Sequence, residues 1–214
     1  MAVHGMDTPV LPDERRTSVG RVKMLLVLLV CAAPVIASYL TYYVIRPEGR
    51  TNYGTLILPT RSLPASLPLT ALDGAAVPAA LLKGNWLLVV VAPGACGEGC
   101  EKQLFMQRQL REMLGKERDR LDKVWLVTDA TPLTPALQQA IGGPVPVKAL
   151  RVPREALAAW LEPEAGQPLE AHLYVVDPLG EWMMRMPADA QPQRVKRDLD
   201  RLLRASSFWH KPER

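Results

Sequence analysis

The chain has 214 residues, and an apolar run from about Met24 to Arg46 leaves 168 beyond it, enough for one folded domain and too few for two. Mean hydropathy is zero because that run offsets an ordinarily charged remainder. The net charge of +4 comes from basic residues interleaved with acids, as in Lys116–Lys123 and Arg194–Arg204, which gives solvated helix faces and argues against a nucleic-acid partner.

Residues 1–23, with Pro9, Pro12 and mixed charge, read as a short tail. The run MLLVLLVCAAPVIASYLTYYVI carries no charge and, at about 1.5 Å per residue in a helix, is long enough to cross a hydrocarbon layer of roughly 30 Å. A transmembrane helix over 24–46 is therefore expected. It exceeds the roughly 7 to 15 apolar residues of a cleaved leader, and Tyr39, Tyr42 and Tyr43 form an interfacial belt, so the segment reads as a retained anchor. Arg15, Arg16, Arg21 and Lys23 precede it closely, whereas Arg46, Arg50 and Arg61 follow, and this places the N-terminal tail in the cytoplasm. Pro34 and Cys31 fall inside the run; the cysteine needs no role there beyond filling space.

Residues 47–68 carry Pro47, Pro59, Pro64 and Pro68 among small and polar residues and read as a Pro-rich linker. The domain is expected over 69–206, with 207–214 as a C-terminal tail. Asp73-Gly74 marks a turn. NWLLVVVAP, ended by Pro-Gly, is a short continuous apolar run and predicts a central strand covered on both faces. The segment CGEGC follows, then a helix to Leu114 with Leu104, Phe105, Leu110 and Met113 or Leu114 on its inner stripe and Gly115 as its cap. VWLVTD, 124–129, predicts a second strand, and Thr131-Pro132 opens a helix running to about Ile141. Alternating β and α units of this kind require parallel strands with right-handed crossovers. A short helix over 154–161 comes next, then a hairpin over His172–Met186 turning at Asp177-Pro178-Leu179-Gly180. A terminal helix over 194–204 directs Val195, Leu199, Leu202 and Leu203 inward. The order β, α, β, α, hairpin, α is that of an α/β, thioredoxin-like fold.

Cys96 and Cys100 lie where a buried strand hands over to a helix. Residues i and i+4 of a helix share a face with Cα atoms about 6 Å apart, inside the window a disulfide needs, so the pair can close and open without large movement. A helix N-terminus favours thiolates, which Glu98 and Glu101 partly oppose. Two thiolates at this spacing also suit monovalent copper. Thiol–disulfide chemistry with Cys96 and Cys100 as catalytic residues, copper binding, and an inert bridge all remain open from the spacing alone. Structural zinc would need further ligands, and the three histidines are His4, His172 and His210, two of them near the termini. His172 opens the strand leading into the hairpin, a strand end that lies beside the cysteine loop in such a fold, and is the candidate third metal ligand or proton partner.

The anchor, WLLVVVAP ahead of CGEGC, VWLVTD followed by ATPLTP, and YVVDPLG near the end together resemble the Sco/SenC proteins. These are membrane-anchored, thioredoxin-like, copper-binding factors that assist cytochrome c oxidase assembly. The likeness spans most of residues 69–206. NYGTLILP and VDPLGEWMMRMP are similar to the short, divergent Sco-like membrane proteins of bacteria. The resemblance implies a single-pass protein of the bacterial inner membrane with its domain in the periplasm, holding Cu(I) through Cys96 and Cys100. Its partner would be an oxidase subunit or another copper or redox assembly factor. The resemblance equally admits an oxidoreductase acting on the oxidase's copper-site cysteines, or a scaffold with a structural bridge. By count back from Tyr174, the family's ligand histidine falls on Leu169 rather than His172.

Overall fold

The computed structural model describes Gly5, residues 14–45 and residues 52–207, and divides into two units, residues 1–50 and 51–214. His4, His210, Arg46, Pro47 and Arg50, with most of both terminal tails, lie outside the described residues.

Among its described residues, the first unit contains one helix, α1 (Glu14–Leu40), continued by a π-helical turn over Thr41–Ile45. Residues 18–44 are long and apolar enough to cross a membrane, and their side chains are almost all exposed. The hydroxyl of Thr41 donates to the carbonyl of Ala37 at 2.7 Å, satisfying an acceptor that a hydrocarbon surrounding would leave without water. Tyr39 and Tyr43 stack with ring centroids 5.7 Å apart, at the end where an interfacial belt is expected.

The second unit is built on eight strands: β1 (Thr55–Ser62), β2 (Leu69–Ala71), β3 (Ala76–Val77), β4 (Trp86–Ala92), β5 (Leu121–Val127), β6 (Lys148–Arg151), β7 (Leu173–Val176) and β8 (Glu181–Arg185). They form one mixed sheet in the order β1-β8-β7-β4-β5-β6-β2-β3. β4, β5 and β6 run parallel, and β7 returns antiparallel to β4 before the hairpin to β8. The helices are α2 (Glu98–Met113), α3 (Pro135–Ile141), α4 (Arg154–Trp160) and α5 (Pro192–Ala205).

Seven consecutive buried residues make β4 a central strand of the second unit's sheet, and the period-two alternation sends them to two different cores. Trp86, Leu88, Val90 and Ala92 pack under α2, α3 and α5 with Leu104, Leu110, Ile141, Leu199 and both cysteines. Leu87, Val89 and Val91 pack on the other face with Leu157 and Trp160 of α4, Tyr174 and Trp182. Both faces are thus covered, which is why no polar residue interrupts the strand.

Four expectations change. The segment read as a linker, 47–68, contains β1, paired antiparallel with β8 through a register shift between Leu56 and Arg61. The second strand begins at Leu121 rather than Val124, and α3 begins at Pro135, where the Thr134 hydroxyl accepts from the Leu137 amide. On α2, Phe105 points outward at 61% exposure, whereas Gln107 is fully buried. That glutamine donates through Nε2 to the carbonyls of Leu88 and Val124 at 2.5 and 2.9 Å, so a polar residue takes an inner position by bonding the sheet's backbone.

Candidate functional site

The cysteine loop hangs from the end of β4 at the carboxyl edge of the parallel strands, the edge at which open α/β sheets bind ligands. Gly97 caps α2 in extended conformation, so Cys96 stands outside the helix while Cys100 is in its first turn. The two are brought together by the turn before the cap, not by a shared helical face. Cys96 takes a left-handed φ of 41°, its amide donates to the Pro93 carbonyl at 3.1 Å, and the two Cα atoms are 5.1 Å apart in a closed disulfide. Both cysteines are buried, at 3% and 8% exposure, against Ala92 and Leu104. Glu98 and Glu101 are exposed on the same turn.

A clasp that sequence reasoning missed holds this loop. One Asp129 oxygen accepts from the Gly94 amide at 2.7 Å and from the Thr131 amide at 3.3 Å, while the other accepts from the Thr131 hydroxyl at 2.8 Å. The Gly94 bond, ahead of the Thr131 ones, holds the Asp129 carboxyl below its ordinary range. Gly94 admits no side chain, because a Cβ there would collide with the Thr131 carbonyl oxygen. The available signal was the Asp-x-Thr at the end of VWLVTDAT, an Asx-turn pattern whose reach across to Gly94 only the folded chain displays.

His172 is not brought to the cysteines, and its expected role as third ligand is corrected. It precedes β7 in extended backbone with φ −116° and ψ 151°. Leu173 and Val175 line the core that contains the cysteines, and Tyr174 and Val176 line the opposite one, so His172, in phase with Tyr174, lies on the far face. Both ring nitrogens are engaged: Nδ1–H donates to the Met186 carbonyl at 2.9 Å, and Nε2 accepts from the Glu164 amide at 3.2 Å. The ring is fully buried, and burial pushes its pKa down. Leu169, where the family's histidine falls by count, is buried in the same far core. Among the described residues no three His, Cys, Asp or Glu side chains are grouped to hold a metal. Two sulfur donors remain, a set that suits a soft monovalent ion once the bridge is reduced.

The sheet order and the cysteine loop at the head of α2 define a thioredoxin-like domain. Residues 86–206 match the family described as transmembrane-like, thioredoxin-like, C-terminal domain, and the chain belongs to that family. No curated protein matches the sequence. Among solved structures, copper-bound yeast Sco1 is similar at 15% identity over 72% of this chain and 97% of its own, with a TM-score of 0.54. Copper-bound Arabidopsis thaliana ScoI follows at 13% identity, 72% and 99% coverage and a TM-score of 0.51. Apo Sco1 from Thermus thermophilus has 19% identity, 74% and 98% coverage and a TM-score of 0.50. The fold of the second unit is therefore that of the Sco proteins.

Proposed function

We propose that this protein is a membrane-anchored factor that, when reduced, holds Cu(I) between Cys96 and Cys100 and delivers it during cytochrome c oxidase assembly, from the periplasmic side of a bacterial inner membrane. Copper is its cargo. The observation that carries the proposal is the cysteine pair, 5.1 Å apart between Cα atoms on a clasped loop at the ligand-binding edge of a Sco-like sheet. The copper-bound state of the yeast and Arabidopsis neighbours supports it. The apolar α1 supports membrane attachment. Soft thiolates select Cu(I), and an exchangeable two-sulfur site suits transfer more than storage.

A second reading is favoured by the closed bridge itself. In that reading one thiolate of the reduced pair attacks a client disulfide and the other resolves the mixed disulfide; two electrons and two protons pass to the client, and the pair closes as seen here.

The test is a Cu(I) titration of the full-length, reduced protein in detergent against a competing chelator. One copper per chain is expected, with affinity lowered at least about 100-fold, or roughly 2.7 kcal/mol, in Cys96→Ser. His172→Ala should keep its copper affinity within about threefold, since the imidazole faces the other core. Failure of the unaltered protein to take up copper removes the delivery reading and leaves thiol exchange, read by reduction of a client disulfide.

A further inference from the structure

α2 and α3 leave an open groove between them of about 420 Å³, lined by Leu104 from α2 and by Ala136, Leu137, Ala140 and Ile141 from α3. It continues into a second depression of about 490 Å³ that shares Arg108, Lys123 and Ala140 with it. Phe105, one of the two phenylalanines in the chain, stands exposed on the α2 wall.

The charges along the groove are unevenly matched. Arg111 and Arg118 are paired with Glu112 and Asp119. Arg108 has no acidic partner among the described residues. Lys123 is 7% exposed and donates only to a neutral acceptor, the Val145 carbonyl, at 2.7 Å. Burial, then the neighbouring Arg111 and Arg108, push its pKa down, with Glu112 opposing weakly. A buried ammonium and an unpaired guanidinium facing one opening are repaid by an anion, and a guanidinium fork fits a carboxylate. The opposite end carries Glu101, next to Cys100, so an acidic ligand is directed away from the disulfide and toward Arg108.

We propose that this groove docks an extended segment of the client polypeptide, an apolar side chain over Leu104 and Ile141 beside Phe105 and an Asp or Glu carboxylate between Arg108 and Lys123. This rests on the proposed function in that the client's reacting residue is then delivered to Cys100. The groove is open at both depressions, as a chain passing through requires, and Ala136 and Ala140 alternate with Leu137 and Ile141 along α3, leaving gaps between apolar contacts. An exposed aromatic on a groove wall is the usual form of an anchor for binding. Eight residues of helix separate Cys100 from Arg108, about 12 Å along the axis. An extended chain covers that in roughly three to four residues, which sets the spacing between the client's acidic residue and the one it presents to Cys100.

The test uses the full-length protein in nanodiscs and a capped, fluorescent decapeptide with a leucine two residues before a glutamate in a Gly-Ser-Thr background, beside the same peptide with glutamine in that place. The glutamate peptide is expected to bind at least tenfold more tightly. Arg108→Glu should abolish that preference, Arg108→Gln should reduce it, and Phe105→Ala should weaken both peptides threefold or more, each variant melting as the unaltered protein does. Equal binding or no binding of the two peptides overturns the proposal. So does equal competition by hexanoate, which would make the groove a small-acid pocket, or a dimer lost in Arg108→Glu without peptide selectivity, which would assign the face to a second copy. Cu(I) titration of the same unaltered preparation separates the failures: copper binding without peptide selectivity sinks the groove alone, and selectivity without copper sinks the delivery reading alone.

Discussion

At His172, two hydrogen bonds and complete burial set the protonation state, and with it a dependence of stability on pH. The folded ring is neutral with a pKa below 6.5, whereas the unfolded chain takes up its proton near the ordinary 6.5. Below that value the unfolded state binds more protons than the folded one, so this contribution is fully present above about pH 6.5. It is lost as pH falls toward the folded pKa, by up to about 1.4 kcal/mol per pH unit. Denaturant titrations should show the wild type less stable at pH 5.5 than at pH 7.5. His172→Gln should be less stable at pH 7.5 by about 2 kcal/mol, because it leaves buried groups unpaired, and should lose less than half as much between the two pH values. Parallel pH curves for the two proteins would exclude the imidazole as the titrating group. The candidate cysteines were legible at this scale, since their types and spacing stand in the chain. The role of His172 was not, because one step of strand phase moves a side chain from one core to the other.

At the scale of elements, β1 is the strand that sequence patterning conceals. Its side chains are mostly exposed and Pro59 lies within it, so neither alternation nor propensity announces it, and its edge position is what makes the proline tolerable. What holds the chain entering β1 is a buried carboxylate on α5. Asp198 accepts from the amides of Tyr53 and Gly54 at 2.7 and 2.8 Å, while its other oxygen is buried without a partner. Gly54 fits there because a Cβ would press on Met184 and Met186. Asp198→Ala strands both donors and is expected to destabilise the domain by about 2 to 4 kcal/mol, with faster hydrogen exchange at Tyr53 and Gly54. Asp198→Asn, which retains an acceptor, should lose less. Unchanged exchange at those two amides in Asp198→Ala would mean that β1 pairing alone secures the segment.

For the whole molecule, Arg15, Arg16, Arg21 and Lys23 crowd the residues just before the apolar run that begins at Met24, in excess of the cations close behind that run, and this bias sets the expected orientation. A periplasmic domain predicts that alkaline phosphatase fused after Arg214 is active in a bacterial host, while a fluorescent protein that matures only in the cytoplasm stays dark there. Replacing those four cations with alanine should lower phosphatase activity severalfold. The reverse pattern of reporter signals would place the cysteine pair in a reducing compartment and remove the closed bridge as a working state.

Chain-local information determined the apolar helix, the buried strand 86–92, the turn at Asp177–Gly180, the cysteine pair and the α/β order, because each depends on periodicity or on neighbours within a few residues. Only the tertiary structure decided the rest: that Cys96 meets Cys100 through a left-handed residue outside the helix, that Asp129 reaches Gly94, that Asp198 secures the chain leading into β1, and that His172 faces away from the sulfurs. The last three depend on which face of the sheet a side chain occupies or on partners 35 or more positions away, and the first on a single residue's backbone sign, none of which a local pattern encodes.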